Sequence, residues 1–366
     1  MKKLLIIATA LFLAVSCGPK GNTYIIKGTV AEPVASKSDV VALLQHQDGT
    51  REEAPVVDGA FTFTGEASDR EVCRIGVTVA GKPAARVGYA AMLVPRKGVI
   101  KVALDKEEST VAGGRVNKAL TAYNDQLKEA ITGFQKKMDA LVDSVGRNAA
   151  AEQVGALEDE VTETITAVSK SAFRANRNNA VGLTALQNIM HELSLEEMDE
   201  LLEGAADFIK ENESIVKVRS AKVCEAATAE GGMFKDFSGK TPDGKDVSLS
   251  DFVGKGKYAL VDFWASWCGP CKREIPNIKE IYEMYGKKMN VVGVAVWDHD
   301  NSGSRKTMEE LGMKWNQIFA GEDRTPTDTY GIEGIPHIIL FAPDGTILKR
   351  GLRGEEMLRA VVAVME

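Results

Sequence analysis

The chain is poor in the residues that most often build metal and nucleic-acid sites. Only 4 histidines are spread over 366 residues, and each stands without a second ligand at metal-binding spacing. His46 therefore reads as a surface residue, His191 as a boundary residue and His299 as part of a loop. Basic residues are outnumbered, 45 against 52 acidic, and no cluster of Lys and Arg interrupts that balance. An acidic surface of this kind excludes nucleic acid as a partner. Past the first residues, no apolar run reaches the length needed to cross a bilayer. Cysteines number 5, and only Cys268 and Cys271 stand close together. With no second pair, a four-ligand zinc site is excluded there, and Lys272 occupies the place where haem attachment needs histidine.

What remains for two thiols three residues apart is redox chemistry. The β-branched, apolar run Tyr258 to Phe263 reads as a buried strand, and Cys268-Gly-Pro-Cys271 opens an amphipathic helix that runs to Tyr285 and stops at Gly286. Cys268 thus sits at a strand-to-helix corner, where unpaired backbone N–H groups and the positive end of the helix dipole favour thiolate over thiol. It is the expected nucleophile. Cys271, one turn inward, is placed to close a small disulfide ring and to attack a mixed disulfide formed at Cys268. Asp262, alone on an apolar strand, is expected to have a raised pKa and to take the Cys271 proton.

Asp262, Trp264, Trp267, Cys268, Gly269, Pro270, Cys271, Lys272 and Pro276 resemble the thioredoxin signature nearly residue for residue, over about the last third of the chain. The continuation Cys-Lys-Arg-Glu-Ile-Pro, with Glu274, resembles the membrane-tethered, extracytoplasmic TlpA/ResA branch of that superfamily. The resemblance implies a thioredoxin fold over residues 232–366, a central mixed sheet with helices on both faces. It implies a cis peptide at Ile335-Pro336 facing the disulfide, with Trp267, Gly269, Pro270, Ile335 and Pro336 forming the substrate surface. Glu274 then acts as a proton relay beside Asp262. His337 stands where the family usually has threonine, which puts a titratable ring near the disulfide. The Gly-Pro pair implies a reducing dithiol near about −270 mV, roughly 4 kcal/mol more reducing than an isomerase-like pair near about −180 mV. Such a donor needs recharging by a membrane electron carrier of the DsbD or CcdA type. Its substrates are extracytoplasmic protein disulfides, apocytochrome c included, which places the chain in cytochrome c biogenesis. No cofactor or metal is expected beyond the redox-active disulfide itself. Two other functions compete: a thiol peroxidase of the AhpC/TSA kind, and a binding or scaffold lipoprotein with a minor redox role.

At the other end, Met1-Lys-Lys and the apolar run Leu4 to Val15 read as a signal peptide, residues 1–16. Leu13-Ala-Val-Ser-Cys17 resembles a bacterial lipobox, which makes Cys17 the lipidation site and 17–22 a lipidated linker. The mature chain is then anchored in the bacterial cell envelope, facing the periplasm. Residues 23–110 show short β-rich runs parted by turn signals, among them Asp48-Gly49 and Asp58-Gly59. They predict an all-β sandwich or barrel, similar in pattern to the DUF4369 domain that precedes thioredoxin-like domains. Residues 115–229 change to a period near 3.6, with stripes such as Leu120, Tyr123, Leu127, Ile131 and Phe134, and predict a helical spacer whose stripes form its core. Ser194-Leu-Glu-Glu197 fits a capping box. Cys73 and Cys224, in apolar surroundings, read as inert structural thiols.

Overall fold

The computed structural model describes residues 21–83, 89–145 and 151–366. The expected signal segment and the expected lipid-bearing Cys17 lie outside the described residues. Two compact units divide the chain, Met1–Ile215 and Val216–Glu366.

The first unit begins with the strands β1 (Thr23–Val30), β2 (Val40–Gln45), β3 (Arg51–Pro55), β4 (Ala60–Glu66), β5 (Cys73–Val79), β6 (Lys82–Pro83), β7 (Ala90–Leu93), β8 (Gly98–Leu104) and β9 (Thr110–Ala112). One sheet runs β4-β1-β8-β9 and the other β3-β2-β5-β6, with β7 also paired to β5. Alternate residues of both sheets, Tyr24, Ile26, Phe61 and Phe63 against Ala42, Leu44, Ile75 and Val77, share one buried core, so the unit opens as a sandwich. Each fully buried side chain of this size contributes about 1.5–3 kcal/mol. Gly28 faces Phe61 across the β1–β4 register, and the Phe61 ring fills the space any side chain there would need. Sequence reading missed β3, because Arg51-Glu-Glu-Ala-Pro carries almost no apolar alternation; it is an edge strand held by pairing to β2.

Six helices follow: α1 (Gly114–Val145), α2 (Ala151–Ala175), α3 (Ala180–Gln187), α4 (Leu195–Leu202), α5 (Asp207–Lys210) and α6 (Glu213–Ala227). The Ser194–Glu197 capping box forms in full at the start of α4. The predicted stripe of α1 is core only at its first turns. Leu120 and Tyr123 are buried, whereas Ile131 is 45% exposed, because the far part of α1 has chiefly α2 beside it. Helices and sandwich are locked together by Asn117 of α1, buried, whose amide both accepts from the Val94 N–H and donates to the Val94 carbonyl. The boundary between the two units falls near the start of α6.

The second unit adds β10 (Ser238–Lys240), β11 (Asp246–Ser248), β12 (Ala259–Trp264), α7 (Gly269–Tyr285), β13 (Asn290–Val296), α8 (Asn301–Glu310), β14 (Asn316–Gly321), α9 (Thr325–Thr329), β15 (His337–Phe341), β16 (Ile347–Arg350) and α10 (Gly354–Met365). Its sheet runs β11-β10-β14-β13-β12-β15-β16, parallel through β12, β13 and β14 and antiparallel at both ends. This is a thioredoxin-like mixed sheet. Strand β12 lies inside the sheet, between β13 and β15, and is buried along its whole length, as its near-continuous apolar run requires. Leu260 and Trp264 point to the face covered by α7 and α10; Val261 and Phe263 point to the other. The 3₁₀ turn at Leu249–Asp251 is capped by Ser248 with Asp251. Among the described residues no helix is long and apolar enough to cross a membrane.

Candidate active site

Cys268 is the N-cap of α7, extended in backbone, with Pro270 in the first turn where a missing N–H costs nothing. Its Sγ accepts a hydrogen bond from the Cys271 N–H at 3.1 Å and is joined to Cys271 Sγ in a disulfide. The corner therefore aims a backbone donor at the sulfur, the arrangement that stabilises an anion there. Cys268 is 3% exposed and Cys271 0%. Of the two, only Cys268 keeps any exposure.

The rim around Cys268 is drawn from distant segments. The Ile335 carbonyl oxygen lies 3.8 Å from Cys268 Sγ, and the Ile335–Pro336 peptide is cis. Gly269 and Pro270 are exposed, and Trp267 stands 62% exposed. Its Nε1–H donates to the Trp297 carbonyl at 3.1 Å. Trp297 is a residue the sequence reading did not single out, and it sits at φ +59°, a left-handed conformation that a bulky side chain adopts only when its surroundings impose it. Three contacts hold it: the Trp267 bond, its own Nε1–H donating to Thr327 Oγ1, and the Arg324 guanidinium 5.4 Å over its ring. Behind this rim Asp298, buried, accepts from the Ser266 N–H at 3.1 Å, from Ser266 Oγ at 2.6 Å and from Ser304 Oγ. Asp298 fixes the turn that leads into Cys268.

Asp262 lies on β12, two residues from Leu260 and Trp264, and so on the same face as Cys271. Burial pushes its carboxyl up from 3.8 to about 7; the Arg353 guanidinium pulls the other way and Glu274 adds to the rise. Among the described residues neither of its oxygens has a hydrogen-bond partner. Opposite Asp262 in the register is Gly293, and the Gln317 side chain occupies the space a side chain at 293 would fill. The Gln317 Oε1 accepts from Trp264 Nε1–H at 3.2 Å, while its Nε2 is buried without a partner among the described residues. Gln317 and Arg353 were invisible to sequence reading, since neither lies in a motif.

Glu274 does not stand free. One of its oxygens accepts from the Gly354 N–H at 2.9 Å, at the start of α10, and from Asn277 Nδ2 at 3.2 Å. The helix whose own N-cap, Arg353, makes no side-chain bond is thus capped from α7. His337 pairs with Phe263 across the sheet; burial pulls it down from 6.5 to about 4, helped by Arg350 and Arg353, and it is neutral at physiological pH. The titratable ring expected near the disulfide is therefore not a cation at that pH. His299 is exposed in its loop and bonds Glu322 at 2.6 Å.

Cys73 and Cys224 carry free thiols. Two expectations for the first unit fail. His46 is not a bare surface residue, and the surroundings of Cys73 are not apolar throughout: His46 Nδ1 lies 3.5 Å from Cys73 Sγ. The antiparallel register that pairs Gln45 with Arg74 places His46 and Cys73 opposite each other at the end of the ladder.

Residues 231–350 match the model of the AhpC/TSA family. Over 126 residues the chain is 29% identical to the thiol-disulfide oxidoreductase ResA of Geobacillus thermodenitrificans (strain NG80-2), covering 34% of this chain and 70% of that protein. Over 126 residues it is 32% identical to the ResA of Bacillus subtilis (strain 168), covering 33% of this chain and 66% of that protein. The crystal structure of the thioredoxin domain of a thiol-disulfide oxidoreductase from Bacteroides vulgatus is 34% identical, covers 38% of this chain and 99% of that chain, and superposes with a TM-score of 0.36. The C-terminal part is thus a thioredoxin-like domain similar to thiol-disulfide oxidoreductases.

Proposed function

We propose that the chain is an extracytoplasmic thiol-disulfide oxidoreductase that reduces or rearranges protein disulfides through Cys268 and Cys271. The observation that carries this reading is the Cys268 sulfur at the start of α7, receiving the Cys271 N–H, with a proton acceptor buried on the strand beneath. In the reduced form the Cys268 thiolate attacks one sulfur of a substrate disulfide; the other leaves as a thiolate and takes a proton from solvent. Asp262, with its carboxyl near 7, takes the Cys271 proton, and the Cys271 thiolate attacks Cys268 Sγ. The second substrate thiol departs and the disulfide seen in the structure results. Two electrons have passed to the substrate. An external dithiol, in our reading a membrane carrier of the DsbD or CcdA type, returns them by the reverse exchange.

The backbone of Ile335, beside Cys268 Sγ, offers an extended substrate segment a place to pair, and exposed Trp267, Gly269 and Pro270 supply the contact surface. Glu274 acts on Asp262 through its charge while it holds α10. The lipid anchor at Cys17, the envelope location and apocytochrome c as a substrate extend the same reading, in which the N-terminal sandwich is taken as a DUF4369-like domain. Thiol peroxidase activity is the second reading, favoured by the AhpC/TSA match over residues 231–350. Against it, Trp267 precedes Cys268 and a resolving thiol follows three residues on.

Insulin reduction and peroxide consumption by the soluble chain distinguish the two. Disulfide reduction without peroxide turnover is expected. Peroxide turnover alone would replace the proposal with the second reading, and activity in neither assay would leave a binding or scaffold role.

A further inference from the structure

The first unit holds a second cluster of metal-competent side chains, remote in sequence from the redox pair. His46 follows β2, Cys73 opens β5 and Glu71 precedes it by two residues, so Glu71, Cys73 and the buried Ile75 share one parity. His46 continues the parity of Ala42 and Leu44 on β2. All three side chains therefore converge at the rim of the face that builds the sandwich core. One ligand atom from each lies within 4.8 Å of the others.

We infer that His46 Nδ1, Glu71 and Cys73 Sγ form a binding site for a divalent transition cation of zinc-like softness. Three observations carry this. First, the spacing from His46 Nδ1 to the other two ligands fits. Tetrahedral zinc bonds of ordinary length separate nitrogen from oxygen by about 3.4 Å and nitrogen from sulfur by about 3.6 Å. His46 Nδ1 stands 3.2 and 3.3 Å from the two Glu71 oxygens and 3.5 Å from Cys73 Sγ.

Second, the imidazole is oriented from behind. His46 Nε2 bonds Glu52 Oε1 at 2.8 Å, and the same oxygen accepts from the Tyr24 hydroxyl at 3.2 Å. With Nε2 donating its proton to Glu52, the Nδ1 lone pair faces Glu71 and Cys73, the carboxylate–imidazole support that metal-binding histidines usually have. Tyr24 is itself buried and comes from the opposite sheet, so both halves of the sandwich brace this arrangement.

Third, the charges balance. One thiolate and one carboxylate neutralise a dication, with imidazole as the neutral third ligand. A sulfur and a nitrogen donor select a transition ion over calcium or magnesium, which take oxygen ligands. Binding displaces the Cys73 thiol proton to solvent, with no change of oxidation state. Three protein ligands leave a fourth position for water. The bland alternative is an imidazolium clamped between Glu52 and Glu71, with no ion.

The test uses the full soluble chain, chelator-treated and with Cys268–Cys271 kept oxidised so that the redox dithiol cannot bind. Zn²⁺ is titrated against a chromophoric competitor, and Co²⁺ is added separately. We expect one tight equivalent of Zn²⁺ and a thiolate-to-cobalt charge-transfer band. Cys73→Ser should abolish the band, and Glu71→Gln should weaken zinc binding at least 10-fold with the circular dichroism spectrum unchanged. Glu52→Gln should weaken it less. Since Cys73→Ser alters a buried position, the variant Glu71→Gln, at a half-buried one, keeps the test decisive if the serine variant fails to fold. Absence of a stoichiometric Zn²⁺ equivalent would overturn the site in favour of the clamp, as would binding unchanged in both Glu71→Gln and Cys73→Ser.

Discussion

Two polar clusters, one at the rim of the sandwich core and one inside the C-terminal core, are built on opposite principles. Around His46 the polar groups are paired: both ring nitrogens are engaged, and Glu52 is shared between His46 and Tyr24. Around the Cys268–Cys271 disulfide they are not. Asp262, Gln317 Nε2 and His337 Nε2 are all buried without hydrogen-bond partners among the described residues. Buried polar groups left unpaired cost about 1–3 kcal/mol each and are retained where their chemistry requires it. On the proposed readings, the paired cluster holds a cation and the unpaired one moves protons and electrons.

The contrast extends to the thiols. Cys268 and Cys73 are equally hidden, at 3% and 0% exposure, so burial does not separate them. What surrounds each sulfur does. Cys268 receives a helix N-terminus and a backbone N–H, whereas burial together with the carboxylates of Glu71 and Glu52 pushes the Cys73 thiol up. The largest effect expected is therefore on reactivity: in the reduced protein at pH 7, Cys268 should alkylate at least about 100-fold faster than Cys73. Mass spectrometry of timed iodoacetamide labelling checks this, and comparable rates would remove the distinction.

Asp262→Asn comes next. Disulfide turnover should fall by about 100-fold, the lower end of what a positioned base supplies. The same change should stabilise the fold at pH 8 by up to about 4 kcal/mol, because the carboxyl is raised from 3.8 to about 7. Between those values the folded chain keeps a proton that the unfolded chain has lost, so this group's contribution is full below about pH 4 and disappears as pH rises through 7. Urea unfolding at pH 4 and pH 8 should show the gain only at the higher pH.

His337 shapes the acid side. Its pKa falls from 6.5 to about 4, so between those values the unfolded chain binds a proton that the folded chain refuses. Stability is lost as pH drops through that window, by up to about 3 kcal/mol. His337→Thr should flatten the decline, measured by urea unfolding at pH 4.5 against pH 7. The smallest effect is at Glu274. Removing its cap on Gly354 in Glu274→Ala should cost about 1 kcal/mol in thermal unfolding, and Glu274→Gln, which keeps an acceptor, should cost less.

Much of the C-terminal unit was legible because its signals are local. A continuous apolar run marks a strand buried on both faces, and β15 and β16 start and end where turn residues and apolar runs place them. Strand β14 escaped because Asn316-Gln-Ile-Phe-Ala-Gly begins with two amides and ends in glycine, which leaves little apolar signal. Those amides include Gln317, whose burial depends on Gly293 in the neighbouring strand leaving room for it. Trp297 escaped for a related reason: nothing in its own neighbourhood announces a left-handed tryptophan, which Trp267, Thr327 and Arg324 impose from elsewhere. The first unit was read in outline, yet His46 was placed on the surface because its partners are 6, 25 and 27 positions away.

By itself the order of residues determined where thiol chemistry can occur, since a cysteine at the end of an apolar strand and the start of a helix meets backbone donors whatever else the chain does. It also determined that Asp262 would be buried, because the residues on either side of it can go nowhere else. Tertiary structure alone decided which groups meet: Ile335 against Cys268, Glu274 against α10, and His46 against Glu71 and Cys73. Strand register and helix packing set those meetings, and both are settled by core burial summed over many residues rather than by any one of the residues brought together.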